Sequence, residues 1–248
     1  MITKKQDEGV QKMAENLHAK HRSRVKKEFL KHGFQKDTPP HKVLELLLFF
    51  CVPRCDTNPL AHELLNRFGS LAGVLNAPVE ELVRFSGLTE SNVVLFKLIP
   101  EVARRYWEDQ VDADHAFRNL DDVGEYLCRS HFGFTEEKVS VLCLSSNAKL
   151  LAHDFLANGN VSSVGISMRD VAEIALRNDA AAVVLAHNHP SGCALPSPED
   201  VRVTEMVSIS LAHVGVRLLD HVVIAADDFV SMAQTPKYRY LFEGNLIK

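Results

Sequence analysis

The chain has no run of eighteen apolar residues, and its opening, "MITKKQDEGVQK", contains no apolar core. The first absence excludes a transmembrane helix and the second a secretory signal, so the expectation is a cytoplasmic protein with no membrane partner. No C-x-x-C pair occurs, and the cysteines are five, at positions 51, 55, 128, 143 and 193. An odd count without paired spacing argues against a disulfide framework and for reduced thiols. "CVPRC" offers two thiols, which is half a metal site, and reads more simply as buried or loop cysteines. Aromatic residues are only 7% of the chain, and neither an internal repeat nor a low-complexity tract is present.

What remains is ordinary globular material: 248 residues, 46% hydrophobic, enough for two modest domains. Charge is segregated. The net charge is −4, yet residues 1–36 hold ten Lys/Arg against four Asp/Glu, which leaves the remainder at −10. A basic leader of this kind is either a solvated tail or an electrostatic footprint for nucleic acid.

Periodicity divides the rest. Residues 1–37 form the basic leader, helical from about residue 9 to 32. "TPP" then breaks the pattern before the apolar helix "HKVLELLLFF". "NPLAHELLNRFGSLAGVLNA", "PVEELVRFSGL" and "TESNVVLFKLIPEVARRYW" continue at helical spacing, giving an all-α module over 38–107. The polar, aperiodic stretch 108–118 reads as a linker. From 119 to 248 the period changes: "KVSVLCLS", "AKLLAHDFLA", "AAAVVLA" and "VRLLDHVVIA" read as strands, "MRDVAEIALRN" and "PEDVRVTEMVSISLAHVG" as helices. This second domain is α/β.

Its chemistry gathers in "HNHPSGCALPSPED", residues 187–200. His187 and His189 lie two apart at the exit of a buried strand, so both imidazoles project to one side. Asp200, eleven positions on and near the start of the next helix, can be folded back as a third ligand by the Pro-rich loop. Two imidazoles and a carboxylate suit Zn²⁺ with a fourth position open, which lowers the pKa of water to roughly 7. Taken alone, H-x-H is often only polar surface. The consecutive "HNH" does not make a nuclease, because that motif's residues are dispersed.

The pattern H-x-H-P-x6-S-x2-D, filled by His187, His189, Pro190, Ser197 and Asp200, resembles the JAMM motif of the JAB/MPN metalloprotease superfamily. Within it, "MRDVAEIALRNDAAAVVLAHNH" and "LLDHVVI" are similar to the bacterial RadC family, labelled historically with DNA repair. "LLNRFGSL", "EELVRFSGL" and "ARRY" are similar to the helix-hairpin-helix region that precedes the metal domain in that family. The fold implied is an α/β, cytidine-deaminase-like JAB/MPN metal domain after an all-α helix-hairpin-helix-like domain.

The resemblance implies zinc-dependent hydrolysis of an amide or isopeptide bond in a peptide or protein conjugate. It also implies a catalytic glutamate before a strand, and E-x-φ-x-V-L-x-L, with φ hydrophobic, fits Glu137 through Leu144 rather than starting at Glu136. Ser197 becomes the oxyanion stabiliser; without the resemblance it reads as a helix N-cap. Two other readings stay open: a DNA-associated accessory protein, and a protein-interaction module with a vestigial metal site. "GLTE" weakens the first, because Thr89 and Glu90 stand where a hairpin benefits from a second glycine and an uncharged or basic residue. Cys193 departs from the acid or amide expected after "HPSG". His153, His213 and His221 read as structural, although Asp220-His221 offers a partner to a ligand.

Overall fold

The computed structural model describes residues 20–53, 55–110, 115–156 and 166–243, so the expected helical start at 9–19 lies outside the described residues. The chain divides into two units after Glu101. No helix among the described residues is long and apolar enough to cross a membrane.

The first unit is helical. After α1 (20–32) come α2 (Pro40–Cys51), α3 (Asn58–Phe68), α4 (Leu71–Asn76), α5 (Val79–Ser86) and the start of α6 (Glu90–Asp109). The turns follow local chemistry. Pro40 and Pro59 sit in first turns, where a missing N–H costs nothing. Gly69 ends α3 at φ +82° and Gly87 ends α5 at φ +66°, conformations that suit a residue without Cβ. Leu44, Leu48, Ala61, Leu64, Val74, Leu82, Val93 and Phe96 close the core at 0–1% exposure. Arg22 of α1 donates to the carbonyls of Phe49 and Val52, acceptors left open at the end of α2, and to that of Cys55 in the loop that follows.

The second unit holds a five-stranded sheet in the order β2-β1-β3-β4-β5. Its elements are α7 (Leu120–Ser130), β1 (Val139–Leu144), β2 (Leu150–Phe155), α8 (Met168–Arg177), β3 (Ala182–Asn188), α9 (Pro198–His213), β4 (Arg217–Ala225), β5 (Asp228–Ser231) and α10 (Tyr240–Glu243). β3 and β4 are parallel and joined through α9; the other neighbours are antiparallel. The mixed α/β sheet and the helical N-terminal region match the expected fold class at that level.

Strand alternation builds a core on each face. Val183 and Leu185 of β3 join Val139, Val141 and Cys143 against α8 and α9. Ala182, Val184 and Ala186 join Leu142, Leu144, Val222 and Ile224 against Val123 and Leu127 of α7. Within the stretch expected as linker, α6 runs through Asp109, Ala116 bridges to Lys149, and Phe117 is buried at 6% exposure. Residues 111–114 lie outside the described residues. All five cysteines are unpaired.

Candidate metal centre

The alternation that sends Val183 and Leu185 to the α9 face also sends His187 there, at the C-terminal end of a fully buried strand. One residue past the strand, the His189 N–H donates to the Ile224 carbonyl at 2.7 Å and keeps the chain on the β4 edge. α9 then returns the third residue. Ser197 is its N-cap and Asp200 its N3 residue: Ser197 N donates to Asp200 Oδ2 at 2.6 Å, and Asp200 N donates to Ser197 Oγ at 3.1 Å. This reciprocal capping box fixes the carboxylate's rotamer at the helix start. The carboxyl ends of parallel strands are where open α/β sheets place their ligands.

His187, His189 and Asp200 each offer a ligand atom, and the three atoms lie within 4.8 Å of one another. His187 Nε2 is 2.9 Å from His189 Nε2 and 3.2 Å from Asp200 Oδ1; His189 Nε2 is 3.7 Å from Asp200 Oδ2. Ligands at zinc bond lengths around a tetrahedral ion stand about 3.3 Å apart, so these separations fit. His187 and Asp200 are buried, while the His189 side chain keeps 19% of its surface exposed, leaving the site open on that side. His189 Nδ1 is 2.8 Å from the Cys193 carbonyl, which can only accept. In the neutral ring the proton is therefore on Nδ1, and Nε2 presents a lone pair to the cluster. Cys193 thus contributes its backbone, and its exposed thiol takes no part in the convergent group.

Electrostatics favours a cation. Burial by itself raises the Asp200 carboxyl, and the Ser197 N–H donating to it at 2.6 Å works the other way, toward the ionised form. An ionised, buried carboxylate beside two imidazoles is the donor set of a divalent transition metal.

His221, which the sequence offered with Asp220 as a partner to a ligand, and Thr204, which it did not single out, complete the surroundings. His221, fully buried, places Nε2 2.8 Å from His187 Nδ1 and Nδ1 2.6 Å from Thr204 Oγ1. Burial first, and then the neighbouring His187, keep its pKa far below the ordinary histidine value. Asp220 does not share this role. Its carboxylate accepts from the His221 and Ala233 N–H groups and from Ser231 Oγ, tying β4 to the turn after β5. Thr204 was foreshadowed only by lying one helical turn after Asp200.

Glu137 stands outside the convergent group. β1 pairs Val139 with His187, so continuing that register sets Glu137 against His189, on the sheet face that carries the cluster. Asn188 holds this approach: Oδ1 accepts from Lys138 N at 2.8 Å and Nδ2 donates to the Glu136 carbonyl at 3.0 Å. Glu136 turns outward, its side chain 81% exposed and 3.7 Å from Lys138 Nζ, whereas Glu137 is half-buried. His153 packs beside Tyr126, and His213 bonds the Ile209 carbonyl; neither joins the cluster.

A mixed sheet whose central strand ends in His-x-His, followed by a helix that returns an N3 aspartate, defines a JAB-like domain. Residues 117–238 match the family model described as RadC-like JAB domain. A protein named UPF0758 from Bordetella parapertussis is 37% identical over 205 residues, covering 82% of this chain and 90% of its own length. One from Carboxydothermus hydrogenoformans is 34% identical, covering 84% and 92%, and one from Fusobacterium nucleatum is 30% identical, covering 90% and 98%. The chain belongs to the RadC-like JAB family.

Proposed function

We propose that this protein is a zinc-dependent hydrolase of an amide or isopeptide bond, acting on a peptide or protein conjugate. The observation that carries the reading is the convergence of two imidazole nitrogens and an ionised carboxylate oxygen, open to solvent on the His189 side. Zinc, when bound, supplies Lewis-acid polarisation of a carbonyl and an acidified water. The chain's own groups do the rest. Glu137, on the cluster's face of the sheet, takes the proton of the attacking water and later delivers it to the leaving amine. The N-cap bond uses the lone pair of Ser197 Oγ and not its proton, so the hydroxyl is available to donate to the developing oxyanion. On this reading the sheet is cytidine-deaminase-like, and the α5–Gly87–α6 turn is a helix-hairpin-helix relative.

The test is elemental analysis with zinc titration, then isopeptide and peptide libraries on the loaded protein. About one zinc per chain, lost together in His187→Ala, His189→Ala and Asp200→Ala, supports it. Protein that neither retains nor takes up metal overturns it in favour of a vestigial site.

A second reading rests on α1. Lys20, Arg24, Lys27 and Lys31 recur at four, three and four residues, so they share one face of the helix, and all four are exposed. His32 and Ser23 border this face, with Glu28 the one acid among them. Such a stripe suits the phosphates of DNA, bound without base readout, and would bring the hydrolase to nucleoprotein.

A further inference from the structure

We infer that Thr204 and His221 are positioning residues that set the tautomer of His187, so that its Nε2 faces Asp200 and His189 as a lone pair and not as an N–H. The inference rests on the metal reading above and names how this chain prepares one ligand for the ion.

The deduction starts at the hydroxyl. Thr204 Oγ1 lies 2.5 Å from the Asp200 carbonyl oxygen, 3.7 Å from Met232 Sδ and 2.6 Å from His221 Nδ1. The carbonyl can only accept, and the thioether sulfur is at most a weak acceptor. Two oxygens at 2.5 Å with no proton between them would repel, so the hydroxyl proton points at the Asp200 carbonyl. The hydroxyl then has nothing left to give His221, and the 2.6 Å contact requires the proton to come from the ring. His221 is therefore the Nδ1–H tautomer, with a lone pair on Nε2. That lone pair lies 2.8 Å from His187 Nδ1, which must supply the proton. His187 consequently carries N–H at Nδ1 and a lone pair at Nε2.

The opposite direction has two arguments for it, the first being that an Nε2–H on His187 would lie 2.9 Å from the lone pair on His189 Nε2. The second is that the same N–H would point at the Asp200 carboxylate 3.2 Å away, a favourable charge-assisted bond without a metal. This direction would require Thr204 to donate to His221, leaving the 2.5 Å oxygen pair without a proton. The short contact decides between the two chains. The outcome is three acceptors, His187 Nε2, His189 Nε2 and the Asp200 carboxylate, meeting with no hydrogen between them, an arrangement that a cation satisfies. The relay starts on α9, crosses to β4 and ends on β3, and Asp200 takes part at both ends. Its backbone accepts the Thr204 proton while its side chain stands beside the histidine being prepared.

The experiment uses the full-length chain. Nitrogen-15 NMR of the metal-free wild type reads the imidazole tautomers directly; Nδ1–H on both His187 and His221 is expected, and Nε2–H on His187 overturns the inference. Zinc affinity is then measured by chelator competition for wild type, Thr204→Val and Thr204→Ser. Thr204→Val keeps the shape and removes the hydroxyl, so affinity should fall about 10- to 100-fold with Nε2–H appearing on His187. Thr204→Ser should restore both readouts. Unchanged affinity and tautomers in Thr204→Val, or failure of serine to rescue, overturn the relay. Should Thr204→Val not fold, the wild-type tautomers still decide. Absence of zinc binding by the wild type sinks the hydrolase reading alone, because the tautomers are read without metal.

Discussion

Ser197 and Asp200 hold each other across the first turn of α9, each backbone N–H donating to the other's side chain. The same carboxylate stands 3.2 Å from His187 Nε2, so the helix cap and the candidate metal-binding group share one residue. Ser197→Ala removes one half of the box and leaves the Asp200 carboxylate anchored by the other. Chemical denaturation should show a loss of about 1 kcal/mol, with zinc content kept. Hydrolysis should fall about 100-fold if the hydroxyl serves the oxyanion. A variant with full activity and the same stability loss would reduce Ser197 to a cap.

The two adjacent glutamates separate cleanly. Glu137→Gln preserves shape but cannot take a proton, so turnover should drop by about 10²- to 10⁴-fold with zinc content and melting temperature unchanged. Glu136→Gln, at a side chain 81% exposed, should change turnover little. Reversal of the two results would move the general base to Glu136.

Cys193 serves His189 through its carbonyl, which any residue provides. Cys193→Ser should therefore bind zinc as the wild type does, and its activity should match or exceed it by removing an exposed thiol beside the open side of the site. Metal loss in this variant would make the thiol a ligand and displace Asp200.

Away from the candidate metal site, acid sensitivity is built into the end of α7 and the edge strand β2. Burial pushes His131 down to about 4 and His153 down to about 3, and in each case burial is the leading cause. Both rings are neutral when folded and gain protons near pH 6.5 when unfolded, so the unfolded state binds more protons between these values. Stability is thus full above about pH 6.5 and falls as pH drops toward 4, by about 3 kcal/mol for His131 alone. Among the described residues nothing hydrogen-bonds the buried His153 Nε2. His153→Phe should shift the acid-unfolding midpoint to lower pH; a midpoint unmoved or raised would contradict this account.

For DNA, the four aligned cations of α1 set the expected salt dependence. Fluorescence anisotropy should show weak, sequence-independent binding whose log–log salt slope is about −3 to −4. Charge reversal at Arg24 and Lys27 should abolish it, and changes between Gly87 and Glu90 should leave it intact. Binding that survives these reversals, or high salt, would exclude α1 as the footprint.

Local pattern was enough to read much of this molecule. Period 3.6 and period 2 marked α2, α6, α8, α9 and strands β1 to β4, because the side of an element that meets a core repeats along the chain. The same rule put His187 and His189 together, and Ser197-Pro198 with Asp200 announced a capped helix able to bring a carboxylate back. Three matters lay beyond it. Which glutamate faces the cluster depended on how Asn188 grips the backbone of residues 136 and 138. Cys193 entered by its carbonyl, which no residue identity encodes. His221 lies 34 positions from His187, and the two rings meet only because β3 pairs in parallel with β4 and α9 lowers Thr204 onto the pair. A sequence specifies faces through short-range stereochemistry, but the neighbour across a face is chosen by strand order and register, which the packing of the whole sheet decides.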